Sequence, residues 1–460
     1  MTPAATDGDA IVAVSARVRE LRAQYPDRFL GLRLPGGFRP EALLTERARG
    51  GVIASYERPD HGLALVAVGE AGRTDLSPGA GPVALRPDVT RLLAPEVISD
   101  DPALRPRLLG GFAFRQDRPP GEPWGGFGCG SLVLPQLLFV RDGDSSGIVI
   151  APDHEDPSES EPTERIAELL TLAVAPASPQ PSAAPLSVLR DVDRERWQHS
   201  VSAIALEVRD GLYEKAVLAT SRELGGDGVI DTGATMATLR RNYPHCHLFT
   251  LSVDGSTFLG ASPELLVGLN GSDVMALGLA GSAGRGTTDQ EDGRLGRALL
   301  ESAKDRIEHE TVVRAIREAL TGATSVLRAP NQPGLRRLRN IQHLATEISG
   351  TTLPGIDVLE LVERLHPTPA VCGWPTDAAR KVIAAHEHMD RGWYAGPIGW
   401  IDAAGDGEFA VALRAALVRG TQAWMFAGNG IMGDSDPASE LAEVDLKFSP
   451  LAEALAGTPD

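Results

Sequence analysis

Cysteine is scarce. Three residues (Cys129, Cys246 and Cys372) among 460 are too few and too scattered for a disulfide framework or a zinc site. Positive charge is in deficit, with 44 Lys and Arg against 62 Asp and Glu and a net charge of −18. No basic block stands out, which argues against a nucleic-acid footprint or an anionic-membrane surface. No apolar run approaches the roughly 18 residues that a bilayer-spanning helix needs. The first residues, MTPAATDGDAIVAVSARVRELRAQYP, lack a basic-then-apolar leader, so a cytoplasmic protein is expected. The glycine-rich segments GGFGCG (125–130) and GSAGRG (281–286) fit neither the dinucleotide nor the P-loop pattern. No internal repeat is visible. What remains, 42% hydrophobic and 23% charged, is an ordinary globular composition, long enough for one large core or two smaller ones.

The clearest shift in composition lies between 152 and 186. There PDHEDPSESEPT is acidic and rich in Pro and Ser, TERIAELLTLAV has the pattern of a short amphipathic helix, and PASPQPSAAP is linker-like. This stretch, a surface excursion or a domain boundary, separates an N-terminal half (1–190) from a C-terminal region (191–455). Upstream, GGFAF (110–114) and SLVLPQLLFV (131–140) read as buried strands. Downstream, DRERWQHSVSAIALEVRDG reads as a helix that stops at Gly211. EKAVLATSREL then alternates as a strand, with Lys215, Val217 and Ala219 on one face. HLFTLSV, STFLGASPELLVGL and SDVMALGLAG, joined by Asp254-Gly255 and Asn270-Gly271, read as a three-strand meander. Helices are expected near 290–320 and 375–387 and through SELAEVDLKFSPLAEAL. Further strands are expected in AGPIGWIDAA, GEFAVALRAALVRG and TQAWMFAGNGIM. Strand runs mixed with helix runs, without βαβ alternation, predict an α+β fold with large antiparallel sheets.

Few residues invite chemistry by themselves. Alternation would put His245 and His247 on one face around Cys246, which reads as a strand end, and Cys372 reads as a small buried residue. Two acidic pairs stand out more. Asp305 and Glu308 in KDRIEHETVV are three apart, hence on one helical face; so are Glu440 and Glu443, the latter four residues before Lys447. The second pair follows Ser435-Asp436-Pro437, a helix-start signal, and the strand exit AGNG, where a ligand could approach backbone closely. Carboxylates from two such helices would form a hard oxygen site of the kind that holds Mg²⁺.

In order, EKAVLA, FLGASPELL, LAGSAGRG, SAKDRIEHETVV, IQHLATEISG, LHPTPAVCGWP, DRGWYAGPIGW, FAVALRAALV and AGNGIMGDSDPASELAEVDLK resemble the motifs of the chorismate-utilising enzymes. That family comprises the anthranilate, aminodeoxychorismate, isochorismate and salicylate synthases. The resemblance covers 191–455, and GGFAF…W…LPQLL (110–138) is similar to the family's first-half pattern. It implies a single α+β unit with two large, mainly antiparallel sheets packed together and helices outside, and so favours the surface-excursion reading of 152–186. By position, Lys215 matches the lysine that activates water, and Glu264 the acid that protonates the departing C4 hydroxyl. Glu308 and Glu443 match Mg²⁺ ligands, with Asp305 and Glu440 where water-mediated carboxylates would sit. Tyr394, Arg414, Lys447 and the backbone around Gly281 and Gly428 match substrate contacts, and His343 lies in the active-site QHL segment.

The chemistry asks for these residue types. Chorismate is a dianion and the chain is acidic, so binding needs a local reversal of charge from Mg²⁺, Arg414 and Lys447. Water must lose a proton as it attacks C2, and hydroxide must gain one as it leaves C4. Lys215 must therefore act as a neutral amine and Glu264 as a neutral acid; burial beside cations would favour the first and an apolar wall the second. Within the family, Lys215 favours water attack, because ammonia-using anthranilate synthases typically carry Gln there. Ala370 in HPTPAVCG stands where pyruvate-eliminating members tend to carry Thr, and Ser282 stands where they more often show Thr. These positions imply an isochorismate synthase; the alternatives are a salicylate synthase or an aminating subunit with a separate glutaminase. Neither a fused glutaminase nor an obligatory glutaminase partner is expected. A monomer is expected, its product serving siderophore, menaquinone or other biosynthesis. Asn429, in place of the usual Ala, borders the expected carboxylate pocket, and Cys372, in place of Gly, would alter the volume beside Ala370.

Overall fold

The computed structural model describes residues 7–44, 52–152, 162–174 and 185–457. The chain begins with α1 (Asp7–Gln24), β1 (Phe29–Arg33), α2 (Pro40–Leu43), β2 (Val52–Arg58), β3 (Leu63–Asp75), α3 (Arg86–Leu92), β4 (Val97–Ile98), β5 (Arg107–Phe112), β6 (Gly130–Asp142), β7 (Ser145–Ile150) and α4 (Pro162–Val174). Next come β8 (Ser187–Arg190), α5 (Arg194–Arg209), β9 (Lys215–Gly225), α6 (Thr232–Asn242), β10 (His247–Val253), β11 (Ser256–Ser262), β12 (Leu265–Asn270) and β13 (Asp273–Gly284). The remainder holds α7 (Asp289–Glu301), α8 (Ala303–Leu320), β14 (Thr324–Arg328), β15 (Gly334–Arg337), β16 (Ile341–Thr352), α9 (Val358–Leu365), β17 (Gly373–Trp374), α10 (Thr376–His386), β18 (Pro397–Asp402), β19 (Gly407–Val411), β20 (Ala415–Arg419), β21 (Gln422–Ile431) and α11 (Pro437–Ala456).

These strands form one hydrogen-bonded network that divides at β6. One edge of β6 pairs with β3, while the other is shared between β5 and β7. From β3 a first arm continues through β2, β10, β11, β20, β21 and β9. From β5 a second arm runs through β18, β19, β12, β13 and β16. The two antiparallel sheets expected from the sequence are thus two arms of one network. Helices α5, α6 and α11 cover the first arm; α7, α8 and α9 cover the second.

Strand alternation builds two cores from the same strands. Leu65 and Ala67 of β3 and Leu138 and Val140 of β6 face the main core. Their neighbours Ala64, Val66, Leu137 and Phe139 face a smaller one, where Val14, Val18 and Leu21 of α1 meet Ile166, Leu169 and Leu170 of α4. The helix expected in TERIAELLTLAV is α4; most of the Pro/Ser-rich tracts around it lie outside the described residues.

Four local expectations need correction. GEFAVALRAALVRG is two strands, β19 and β20, because the chain crosses between the arms at Arg414, whose left-handed backbone ends the ladder. STFLGASPELLVGL is two strands, because Pro263 has no N–H to continue a ladder and the chain crosses there from β11 in one arm to β12 in the other. The helix near 290–320 is two, broken at Ser302, whose extended backbone ends α7 and caps α8. His245 and His247 do not share a face: His245 is exposed beside Asp60, while His247 begins β10 and is buried against Tyr56 and Glu408.

Candidate active site

A cavity of about 280 Å³ opens where the two arms come together, and every site residue named from the sequence lines it. The crossovers between the arms place its chemistry. At the first, Ser262 Oγ accepts from the Glu264 backbone N–H at 3.2 Å and donates to Val411 O at 2.5 Å, which turns the chain at Pro263 and drops Glu264 into the corner. At the second, between β19 and β20, Arg414 adopts a left-handed backbone (φ 49°). The crossovers bond to each other, Val411 N–H to Glu264 O at 3.1 Å and Ala261 N–H to Arg414 O at 3.2 Å.

Lys215, at the start of β9, is 1% exposed, and its Nζ lies 2.7 Å from Glu308 Oε1. The cations expected beside it are not its nearest charge; a carboxylate is. Gly430 makes this pair possible, since a Cβ there would stand 2.3 Å from Lys215 Cε and 2.7 Å from Glu308 Oε1. Glu264 is 2% exposed, and its Oε1 has no hydrogen-bond partner. Burial pushes its carboxyl up to about 8, against the smaller opposing pull of Lys215 and Arg414, so it carries a proton at neutral pH. Val217, Pro263, Leu279 and Leu413 supply apolar lining.

The two acidic helices turn their carboxylates into the same cavity. On α8, Ser302 caps the helix, accepting from the Asp305 N–H at 3.3 Å and donating to the Asp305 carboxylate. On α11, Asp436 accepts from the Ser439 N–H at 2.9 Å, with Pro437 at the first turn. Lys304 of α8 reaches to 3.8 Å from Glu440 of α11, closing the gap between them. Burial raises the Asp305 and Glu440 carboxyls above their ordinary values, with Glu443 adding like-charge pressure on both. Burial acts upward on Glu443 too, but Lys447, His343 and Ser282 together outweigh it and hold that carboxyl below its ordinary value.

Lys447 Nζ is held at three points, 2.8 Å from Glu443 Oε1, 2.9 Å from Gly428 O and 2.5 Å from Asn429 Oδ1. Asn429 Nδ2 donates in turn to Glu440 Oε2 at 2.9 Å, so this departure from the family pattern bridges two site residues. Ser282 and His343 face each other across β13 and β16, with Oγ and Nδ1 2.9 Å apart. Burial lowers His343 to about 3, leaving a neutral imidazole whose Nε2 has no partner. Gly281 forms a bulge at φ 71°, and a Cβ there would meet Asp305 Cβ at 3.0 Å. Tyr394 stacks on Phe426, its hydroxyl pushed up to about 12 by burial. Arg414 makes neither hydrogen bond nor ion pair with a described side chain, and burial lowers its otherwise very high value. Cys372 is buried outside the lining, its Sγ toward Thr376 O at 3.9 Å, so it leaves the space beside Ala370 alone.

The sequence reading missed Gly430, Lys304 and the buried Arg391, all of which line the cavity. Arg391 sits within DRGWYAG and Gly430 within AGNG, so the motifs held them without revealing their contacts. Elsewhere, a larger cavity of about 640 Å³ beside α3 and α9 is lined by Arg86 and Asp357, which pair with each other, Arg86 also reaching Glu360.

The donor chemistry suits a hard divalent cation: Asp305, Glu308, Glu440 and Glu443 are all carboxylates on one cavity wall. Among the described residues no three His, Cys, Asp or Glu side chains converge at ligating distances, because Glu308 and Glu443 are held by lysines. No described helix is long and apolar enough to cross a membrane.

A buried carboxyl pushed up by burial, a buried lysine and an arginine without a described side-chain partner thus share one polar cavity. Residues 43–456 match the family of chorismate binding enzymes. The chain is 41% identical over 374 residues to the salicylate biosynthesis isochorismate synthase of Pseudomonas aeruginosa, covering 80% of this chain and 77% of that one. It is 36% identical to the isochorismate synthase MenF of Bacillus subtilis, covering 77% and 76%. Among solved structures, the menaquinone-specific isochorismate synthase MenF of Escherichia coli superposes with a TM-score of 0.77 at 26% identity, over 97% of this chain and 100% of that one. This protein belongs to the chorismate-binding enzymes.

Proposed function

We propose that the chain is an isochorismate synthase, an isomerase that adds water at C2 of chorismate as the C4 hydroxyl leaves. The observation that carries this reading is Glu264, sealed at 2% exposure with an unpartnered Oε1 and pushed up to about 8 by burial, in the same cavity as the buried Lys215. Lys215 takes a proton from water as the O–C2 bond forms. Glu264 gives its proton to the C4 oxygen as that C–O bond breaks, the double bonds shifting between C2 and C4. Water enters and water leaves, so atoms and protons balance.

The Arg414 guanidinium, with no hydrogen bond or ion pair to a described side chain, suits one substrate carboxylate in its planar fork. Lys447, fixed by three acceptors, and Tyr394 border the same space. Glu308 and Glu443, with Asp305 and Glu440 beside them, would hold Mg²⁺, which supplies positive charge toward the other substrate carboxylate. Relatives named for salicylate and for menaquinone biosynthesis share the isochorismate synthase name, so the proposal stops at that product. Ala370 on the cavity wall supports the stop, because its methyl gives no polar assistance to loss of pyruvate.

The test is incubation of purified protein with chorismate, with and without Mg²⁺ or ammonium, read by chromatography and a coupled pyruvate assay. Mg²⁺-dependent isochorismate without pyruvate is expected. Stoichiometric pyruvate would move the chain to salicylate synthesis, ammonium-dependent product to amination, and no product at all would overturn the reading.

A further inference from the structure

The strand that carries Lys215 has an unusual edge. β21 flanks β9 along one side throughout. On the other side β17 pairs only with Lys215 and Ala216, and β8 only from Glu223 onward. Between them no described strand lies alongside. Val217 N–H still meets main chain, donating to Cys372 O at 2.9 Å, but Val217 O and Ala219 N–H, beyond that bond, are satisfied by side chains. Arg391 Nη2 donates to Val217 O at 2.9 Å, and Glu387 Oε1 accepts from the Ala219 N–H at 2.7 Å.

Those side chains are themselves a buried ion pair. Arg391 Nε donates to Glu387 Oε2 at 2.8 Å, and Arg391 Nη2 also reaches Glu387 Oε1. The remaining Nη1 donates to Val371 O at 2.7 Å, and the guanidinium lies 4.2 Å from the Phe114 ring centre. Each group offers β9 what a neighbouring strand would: a donor for one carbonyl and an acceptor for the next amide. The same guanidinium also grips the residue after Ala370. Burying two charges is costly, and an apolar pair would be cheaper for stability alone. An apolar pair would leave Val217 O, Ala219 N–H and Val371 O without these partners.

We propose that Glu387 and Arg391 are positioning residues, a side-chain substitute for a strand that fixes the Lys215 strand against the Ala370–Val371 wall. This rests on the role proposed for Lys215. In Arg391→Lys the charge survives, but the planar fork that places separate nitrogens on Val217 O and Val371 O is lost. The expected result is a kcat lower by about 10- to 100-fold with KM within about threefold, the signature of a misplaced reacting group. The double variant Glu387→Met/Arg391→Met removes both charges together and should fold, with kcat lower by about 100-fold. Hydrogen exchange at the Ala219 amide should rise at least about tenfold in the double variant, a readout that does not depend on turnover. A folded double variant, or Arg391→Lys, with kcat within about threefold of the parent would overturn the proposal. So would a loss confined to KM, or unchanged Ala219 exchange. If the double variant fails to fold, the Arg391→Lys kinetics decide. A parent protein that makes no isochorismate would instead refute the functional reading, while the exchange result would still judge the clamp.

Discussion

Glu264 and Glu443 are the same amino acid on two walls of one cavity, and they are driven in opposite directions. Glu264 sits in a sheet corner, 2% exposed, with an unpartnered Oε1, and burial raises it to about 8. Glu443 sits on a helix with 30% of its side chain open, 2.8 Å from Lys447, and its neighbours overcome burial and lower it. Role follows from surroundings: sealed and unpaired gives a proton donor, open and paired gives a permanent anion suited to cations. The corner exists because Pro263 ends a strand, and the helical wall because Asp436 and Pro437 start α11 where they do.

The strongest way to break this contrast is Glu264→Gln, which keeps shape and removes the proton. A fall in kcat of about 10³-fold is expected, read by isochorismate formation. In the parent, activity should decline as pH rises through about 8, where Glu264 ionises. Stability should follow the same group. Between the ordinary value of 4.5 and about 8 the folded protein keeps a proton that the unfolded chain loses, so stability falls with rising pH. Above about 8 the full penalty, up to ~5 kcal/mol, applies to the parent and is absent from Glu264→Gln. Chemical denaturation of both proteins at pH 5 and pH 9 checks this; parallel stabilities at the two pH values would contradict the sealed environment. Glu443 has the opposite sign, contributing stability above its ordinary value and losing it as acid protonates it below.

The next effect probes the lysine. Gly430→Ala leaves the backbone geometry permissible but places a Cβ 2.3 Å from Lys215 Cε and 2.7 Å from Glu308 Oε1. Lys215 must shift, and kcat should fall by about 100-fold with little change in unfolding temperature. Smaller still is Glu443→Gln, which leaves Lys447 bonded to Gly428 and Asn429. Its expected mark is on binding: KM for chorismate up by about 10-fold, and a higher Mg²⁺ concentration for half-maximal rate. A large kcat effect with KM unmoved would mean that the carboxylate takes part in the proton transfers.

Much of this site was legible because short periodicities determine it. Asp305 with Glu308, and Glu440 with Glu443 and Lys447, share faces because a helix repeats every 3.6 residues, and the caps Ser302 and Asp436 are readable signals. Family motifs then brought Lys215, Glu264, His343 and Arg414 into one list, and the cavity holds them all. What could not be read depends on long-range approach. Nothing local in AGNG says that Gly430 faces Lys215 across two strands, nor that Asn429 ties Lys447 to Glu440. The break at Pro263 was visible as a proline, but that the chain changes arms there depends on which strands pair. The ion pairing of Lys215 with Glu308 was likewise hidden, because the two residues lie far apart in sequence.

The smallest expected effect concerns product rather than rate. Ala370 and Val371 form the wall next to Arg391, whose guanidinium holds Val371 O at 2.7 Å, so the backbone at this point is fixed. Substituting Thr at 370 adds a hydroxyl and one methyl-sized group to a half-buried position without disturbing either glutamate. Overall kcat should stay within about threefold. The hydroxyl gives the departing enolpyruvyl group a polar neighbour, and Ala370→Thr should release pyruvate as a minor fraction of turnover, measurable by the coupled assay. Because Glu264 and Glu443 keep their states in this variant, pyruvate release should show the same loss above about pH 8 as isochorismate formation. If pyruvate appears but persists at pH 9, elimination does not draw on the acid that forms isochorismate. If none appears at any pH, the methyl of Ala370 is not what stops the reaction, and the explanation moves to Ser282, the other position from which the sequence reading expects this difference.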